Sequence, residues 1–217
     1  MNLVLFGPPG AGKGTQASII CQRYFLVHLS TGEAIRAEIS KGSDLGQHVQ
    51  ATVAAGDLID DEMVTNIVDE FIRSHRSESD SYLFDGYPRT TQQVHDLDMV
   101  LEKHRLTIPA VVNVDVPDDV LKQRITGRRV CPSCGRAYNV LTLPDGDKTH
   151  CPDCGIDLVR RKDDSPEAVE ERLRVYHEQT EPVLTLYEQR GLLSTVDGGG
   201  TPEEVFERIS NLLQEAY

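Results

Sequence analysis

The run Gly7-Pro8-Pro9-Gly10-Ala11-Gly12-Lys13-Gly14-Thr15 stands directly behind Asn2–Phe6, an apolar stretch of strand length. A strand feeding a glycine-rich turn with one lysine, and then a helix, is the opening unit of a parallel α/β fold. Such a loop wraps backbone N–H groups around phosphates. The lysine adds a point charge, and the helix N-terminus adds its positive end. These nine residues therefore predict a site for a nucleotide polyphosphate. The spacing fits Gly-x4-Gly-Lys, with Gly14 in the place of the usual Ser or Thr and the hydroxyl one position later at Thr15.

The rest of the chain alternates in the same way. Five short β-branched runs, 2–6, 26–29, 81–85, 110–116 and 193–197, read as buried parallel strands. Helices are expected over 13–24, 61–75, 90–104, 117–126 and 166–190, the last with Ser165 as N-cap and Pro166 at its first position. A final helix opens at Thr201-Pro202-Glu203-Glu204, a capping box, and carries an apolar stripe of Val205, Ile209 and Leu212. Two segments break the rhythm. Residues 30–60 are helical but weakly apolar. Residues 127–164 hold four cysteines, Gly146 and prolines 132, 144 and 152, and read as a small inserted module.

A chain of 217 residues suffices for one α/β domain with insertions. No apolar run approaches the ~20 residues of a membrane span. The N-terminal segment lacks the basic region of an export signal, so the cytoplasm is the expected compartment. The net charge of −13 argues against nucleic acid or an anionic membrane as partner. An anionic protein that binds phosphates must gather its positive charge locally. Arginine far outnumbers lysine, and Arg36, Arg89, Arg124, Arg128, Arg161 and Arg172 are the candidates for that cluster. Planar guanidinium groups suit phosphate oxygens bidentately.

Five cysteines in a chain of this kind predict reduced thiols rather than disulfides. Cys21, alone in the first helix, reads as a small buried residue. The others form Cys131-Pro-Ser-Cys134-Gly and Cys151-Pro-Asp-Cys154-Gly, 16 residues apart. That spacing lies in the range of a four-thiolate zinc site. Four thiolates leave no position open for water, so the expected metal is structural. An iron–sulfur centre is the lesser alternative, and His150, beside Cys151, is expected to be solvated rather than a ligand.

Asp85-Gly86-Tyr87-Pro88-Arg89 follows a strand, which places Asp85 to hold magnesium through water. Arg124 and Arg128, four apart, are expected on one helix face. Arg161-Lys162-Asp163-Asp164 closes the inserted module, and Arg172 lies in the next helix. Arg160 and Lys162 are read as solvated charges.

Taken together, the phosphate loop, Leu29-Ser-Thr-Gly-Glu33 with Arg36, Gly56-Asp-Leu-Ile59, Asp85–Arg89 with Gln93, Arg124 through Arg129, the cysteine pairs, Arg161–Asp164 and Arg172 resemble the adenylate kinases of the long-lid, zinc-containing form, along the whole chain. The resemblance implies a three-layer P-loop fold with a five-stranded parallel sheet. It implies a core of 1–29, 60–126 and 165–217, a helical AMP-binding insertion at 30–59 and a zinc-bearing lid at 127–164. The implied reaction is Mg·ATP plus AMP giving two ADP, with structural zinc and with magnesium carried on ATP. Implied ATP contacts are Gly10, Ala11, Gly12, Lys13, Gly14, Thr15, Arg124, Arg128, Ala137, Tyr138 and the Gly200 backbone. Implied AMP contacts are Thr31, Arg36, Asp57, Leu58, Ile59, Gly86, Tyr87, Pro88, Arg89, Gln93, Arg161 and Arg172, with the Asp57 side chain toward solvent. Lys13, Arg89, Arg124, Arg128, Arg161 and Arg172 are the implied catalytic set. A monomer without nucleic-acid or membrane partners is expected. The alternatives are a kinase of another nucleoside monophosphate (UMP or CMP), and a non-catalytic nucleotide-binding zinc module.

Overall fold

Parallel strands buried on both faces favour continuous apolar runs, and the central strands Leu3–Phe6, Tyr82–Asp85 and Ala110–Asp115 are buried at nearly every position. The computed structural model describes residues 1–76, 79–141, 143 and 148–216. Pro144 and Gly146, expected within the inserted module, lie outside the described residues. Strands β1 (Leu3–Phe6), β2 (Val27–Ser30), β3 (Tyr82–Asp85) and β4 (Ala110–Asp115) join β7 (Leu193–Asp197) in one parallel sheet of order β2-β3-β1-β4-β7. Short strands β5 (Arg128–Val130) and β6 (Ala137–Asn139) form a separate antiparallel pair in the cysteine segment.

The side chains of β1 alternate between two cores. Leu3 and Leu5 pack with Ile20, Val112, Val114 and Ile209, whereas Val4 and Phe6 pack with Val68, Phe84, Leu97 and Tyr187. Helices α1 (Lys13–Tyr24), α6 (Asp118–Thr126), α7 (Pro166–Val175) and α9 (Pro202–Ala216) contribute to the first core. Helices α4 (Asp61–His75), α5 (Thr91–His104) and α8 (Glu181–Gln189) contribute to the second. Two further helices, α2 (Thr31–Lys41) and α3 (Asp44–Ala55), occupy the weakly apolar segment and pack mainly on each other. Cys21, expected in the core, is only half-buried at its edge.

The strand order reverses at β1, so the crevice for a ligand opens beyond its C-terminal end. Register places the flanking groups there. Leu5 pairs with Asp85 on one side and Val112 on the other, and Ser30 pairs with Asp85.

Three further expectations need correction. The helix expected over 166–190 is interrupted by a π-helical turn at Tyr176–Thr180. Pro182 lacks an N–H and crowds the carbonyl four residues back, and the wider turn relieves that clash. Arg124 and Arg128 do not share a helix face: α6 ends at Thr126 with Gly127 as its C-cap, and Arg128 opens β5. In α9 the buried stripe is Val205, Ile209 and Leu213, with Leu212 only partly buried, because the 205–209–213 spacing of four faces the sheet. The capping box forms as expected: Glu204 N donates to Thr201 Oγ1 at 3.3 Å, and Thr201 N donates to Glu204 Oε2 at 2.8 Å. Thr201→Ala is therefore expected to cost about 1 kcal/mol, a fall of roughly 2–4 °C in melting temperature by calorimetry.

Candidate functional site

The phosphate loop leaves β1 and turns directly into α1. Gly10 holds φ +89°, and a Cβ there would lie 2.7 Å from Ile125 Cγ1, so only glycine lets the loop pack on α6. Helix α1 starts without a side-chain cap. Its first N–H groups therefore remain available to an anion. Lys13 folds back over the loop and donates to Gly7 O (2.6 Å) and Pro8 O (2.9 Å). Burial, with the nearby Arg89, Arg172 and Arg128, pushes its amine down to about 8 despite the attraction of Asp85.

Asp85 ends β3 at the same level. Burial alone would raise its carboxyl. His28, whose Nε2 lies 3.4 Å away, together with Lys13 and Arg89, outweighs that and keeps it below the ordinary range. It is a buried anionic oxygen donor, which suits a hard divalent cation reached through water.

A cleft open to solvent lies between the loop and α2, α3 and α7. Lys13, Thr31, Arg36, Asp57, Leu58, Ile59, Gly86, Tyr87, Pro88, Arg89, Gln93 and Arg172 line it together. The Asp57 side chain is exposed. Gly86 takes φ +78°, and a Cβ there would stand 2.8 Å from an Arg89 amine and 3.2 Å from Thr31 Oγ1. Its carbonyl accepts from Thr31 Oγ1 at 2.9 Å and Arg89 Nε at 2.7 Å, tying β3, α2 and the arginine together.

The remaining arginines are arranged by two carboxylates that the sequence reading left without a role. Asp164 is fully buried. It accepts two bonds from Arg128, one of them from Nε at 2.8 Å, and one from Arg172 at 3.2 Å. Asp163 accepts from Arg172 through its backbone oxygen at 3.1 Å. Arg160, expected to be solvated, is exposed but donates to the Asp164 backbone oxygen. Like-charge crowding is evident throughout. Burial and neighbouring guanidinium groups lower Arg36 and Arg172, and push Arg89 and Arg161 down to about 10. Six cations (Lys13, Arg36, Arg89, Arg128, Arg161, Arg172) thus interact electrostatically around three carboxylates that are buried among the described residues, Asp85, Asp163 and Asp164. Several negative charges brought into the cleft would balance them.

Other predicted residues lie outside the cleft lining. Arg124 donates to Gly198 O at 3.0 Å, which ties α6 to the glycine loop before α9. In that loop Gly200 sits beside Glu204. Ala137 and Tyr138 belong to β6, and the Tyr138 hydroxyl meets Asp153 Oδ2 (2.5 Å) and Cys151 Sγ (3.3 Å).

The four cysteine sulfurs lie within 4.8 Å of one another, with Cys134 and Cys151 3.9 Å apart. Sulfurs at ~2.3 Å from one zinc in a tetrahedron stand about 3.8 Å apart, so the set fits that ion. The two halves are built alike. Cys131 N donates to Arg136 O and Gly135 N to Cys131 O; Cys151 N donates to Ile156 O and Gly155 N to Cys151 O, all at 2.8–3.0 Å. In each pair the first cysteine is buried and the second exposed. His150 stands apart from the set, its Nε2 2.8 Å from Asp157.

Residues 5–192 match the family described as adenylate kinase. The chain is 42% identical over 216 residues to an adenylate kinase of Kosmotoga olearia, covering 98% of this chain and all of that protein. It is 41% identical to one from Petrotoga mobilis, covering 99% and 98%, and 42% identical to one from Clostridium perfringens, covering 98% of each.

Proposed function

The chain belongs to the adenylate kinase family and is a phosphotransferase that interconverts ATP plus AMP with two ADP; from that premise we propose how its residues divide the work. Residues 10–15, with Arg124, Arg128, Ala137, Tyr138 and the Gly200 backbone, hold ATP. The cleft residues from Thr31 to Gln93, with Arg161 and Arg172, hold AMP. Residues 30–59 form the AMP-binding unit, and residues 127–164 form a lid on the core. The observation that carries this reading is the surplus of buried cations around the cleft, which the phosphates of two nucleotides would balance.

The attacking oxygen of AMP is already anionic, so no general base is needed. Catalysis is then placement and charge neutralisation. Arg36 and Arg89 clamp the acceptor phosphate. Lys13, Arg128 and Arg161 meet the charge that develops on the transferred group, and Arg172 lies between the two phosphate chains. Magnesium carried on ATP, reached from Asp85 through water, supplies further charge neutralisation between the phosphates. Closure of the lid excludes water from the γ-phosphate. Cys131, Cys134, Cys151 and Cys154 hold a structural zinc that stiffens the lid. The same reading gives a cytoplasmic monomer with no nucleic-acid or membrane partner. No helix among the described residues is long and apolar enough to cross a membrane.

Turnover with ATP against AMP, UMP, CMP and GMP tests the assignment. The largest kcat/KM is expected for AMP. Preference for a pyrimidine acceptor would overturn it.

The lysine gives a separate test. Its folded pKa of about 8 lies below the free value of 10.5. Burying the charged amine therefore costs stability below pH 8, and the cost is relieved as pH rises from about 8 to 10.5. A phosphate at Nζ restores the higher pKa. ADP binding at about pH 9 is thus expected to take up a proton, read by titration calorimetry in two buffers of different ionisation heat. The uptake should vanish in Lys13→Met; equal uptake in both proteins would contradict the assignment.

A further inference from the structure

Gln93 lies on the cleft wall, yet it is 2% exposed and both ends of its amide are engaged. Its Oε1 accepts from the backbone N–H of Arg89 at 2.7 Å, and its Nε2 donates to Asp61 Oδ1 at 2.7 Å. Neither bond can be reversed, because an N–H only donates and a carboxylate only accepts. The other Asp61 oxygen accepts from Thr90 Oγ1 at 2.8 Å, and Thr90 Oγ1 accepts from Gln93 N at 3.1 Å. Thr90 and Gln93 are thus the first and last residues of a Thr-x-x-Gln cap on α5, joined across to the first residue of α4. Turning the amide over would set N–H against N–H at Arg89 and oxygen against carboxylate at Asp61.

The fixed amide keeps one N–H and one oxygen lone pair for a ligand, in one order. A 6-aminopurine presents a donor at its amino group beside an acceptor at N1. A 6-oxopurine presents an acceptor beside a donor, the reverse order. A glutamine free to turn over could serve both; one that is held serves only one.

We propose that Asp61 is a specificity-determining positioning residue, which together with the Arg89 backbone N–H holds the Gln93 amide in the one orientation that accepts a 6-amino rather than a 6-oxo purine on the phosphate acceptor. The proposal rests on the reading of Gln93 as a contact of the acceptor base. It assigns Asp61 no contact with substrate.

The test compares kcat/KM for AMP and for inosine monophosphate, with Mg·ATP as donor, in the full-length protein. The products ADP and IDP are separated by chromatography. Asp61→Ala is expected to lower the AMP-to-IMP ratio by about tenfold or more, the range of a hydrogen bond to a charged group. The change should appear chiefly in KM for the acceptor, with kcat nearly kept. Asp61→Asn, which still offers an oxygen to Gln93 and an amine to Thr90, is expected to keep the ratio within about threefold. Asp61→Ser replaces the alanine variant should that one not fold. Gln93→Ala separates the two readings. If Gln93→Ala changes the ratio and removal of the Asp61 carboxylate does not, Gln93 reads the base but Asp61 does not set its direction, and the proposal is overturned. If Gln93→Ala also leaves the ratio unchanged, the contact of Gln93 with the acceptor base fails, and the proposal fails with it. Equal losses on both nucleotides in Asp61→Ala, with a lowered melting temperature, would mark a purely structural residue and also overturn it.

Discussion

Arg89→Ala is expected to lower kcat by roughly a hundred- to a thousandfold while leaving the fold intact. The guanidinium is anchored by a hydrogen bond from Nε to Gly86 O at 2.7 Å, and among the described residues no carboxylate forms an ion pair with it. Its charge is instead crowded: burial and the nearby Arg172 and Arg36 push it down to about 10, against the pull of Asp85 alone. Without ligand, this arginine sits in a position that is electrostatically unfavourable. Removing it relieves that crowding, so the melting temperature should stay within a few degrees of the parent. With ligand, the same crowding becomes attraction to the acceptor phosphate and to charge that develops on transfer. Steady-state turnover and a thermal melt on one preparation separate the two effects. Near-normal turnover would remove Arg89 from the catalytic set, and a collapsed melt would make it a structural residue.

Removal of the zinc proposed for the cysteine set should have the opposite profile. The segment from β5 to the end of the module buries little apolar surface of its own. Cys131, Leu143 and Cys151 are its buried apolar residues among those described, while Leu141, Ile156 and Val159 are exposed. A unit of that kind relies on its metal for folding. Chelation, verified by metal analysis, is expected to lower the melting temperature by about 10 °C or more, since several kcal/mol are lost at roughly 2–4 °C each. Activity at room temperature should fall by less than in Arg89→Ala, because Lys13, Arg36, Arg89 and Arg172 lie outside the module, and the loss that does appear is that of Arg128 and Arg161 within it. An unchanged melting curve after confirmed metal loss would contradict a structural role.

Much of this was legible in the sequence because the signals are local. A glycine loop between a strand and a helix, two identical cysteine knuckles and a capping box each require only a few adjacent residues, and all three stand where the spacing placed them. The strands were legible because parallel strands buried on both faces read as unbroken apolar runs. What escaped depends on contacts between segments distant in sequence. Asp164 looks like part of a solvated charge run until Arg128, 36 residues away, closes on it. Asp61 reads only as a favourable acid at a helix start until Gln93, 32 residues on, donates to it. The shared face expected for Arg124 and Arg128 failed because Gly127 ends the helix between them. The break at Tyr176–Thr180 was missed because a single proline in a long helical pattern does not say whether the turn kinks, ends or widens.

The central claim is that the cation cluster brings two nucleotides end to end over the phosphate loop and keeps solvent away from the transferred group. Incubating the purified protein with unlabelled AMP and ATP carrying a labelled γ-phosphate tests it most directly. The account predicts that the label moves to the β-phosphate of newly formed ADP, with a negligible share released as inorganic phosphate. Label accumulating mainly as free phosphate, or staying on ATP while AMP is unchanged, would contradict it.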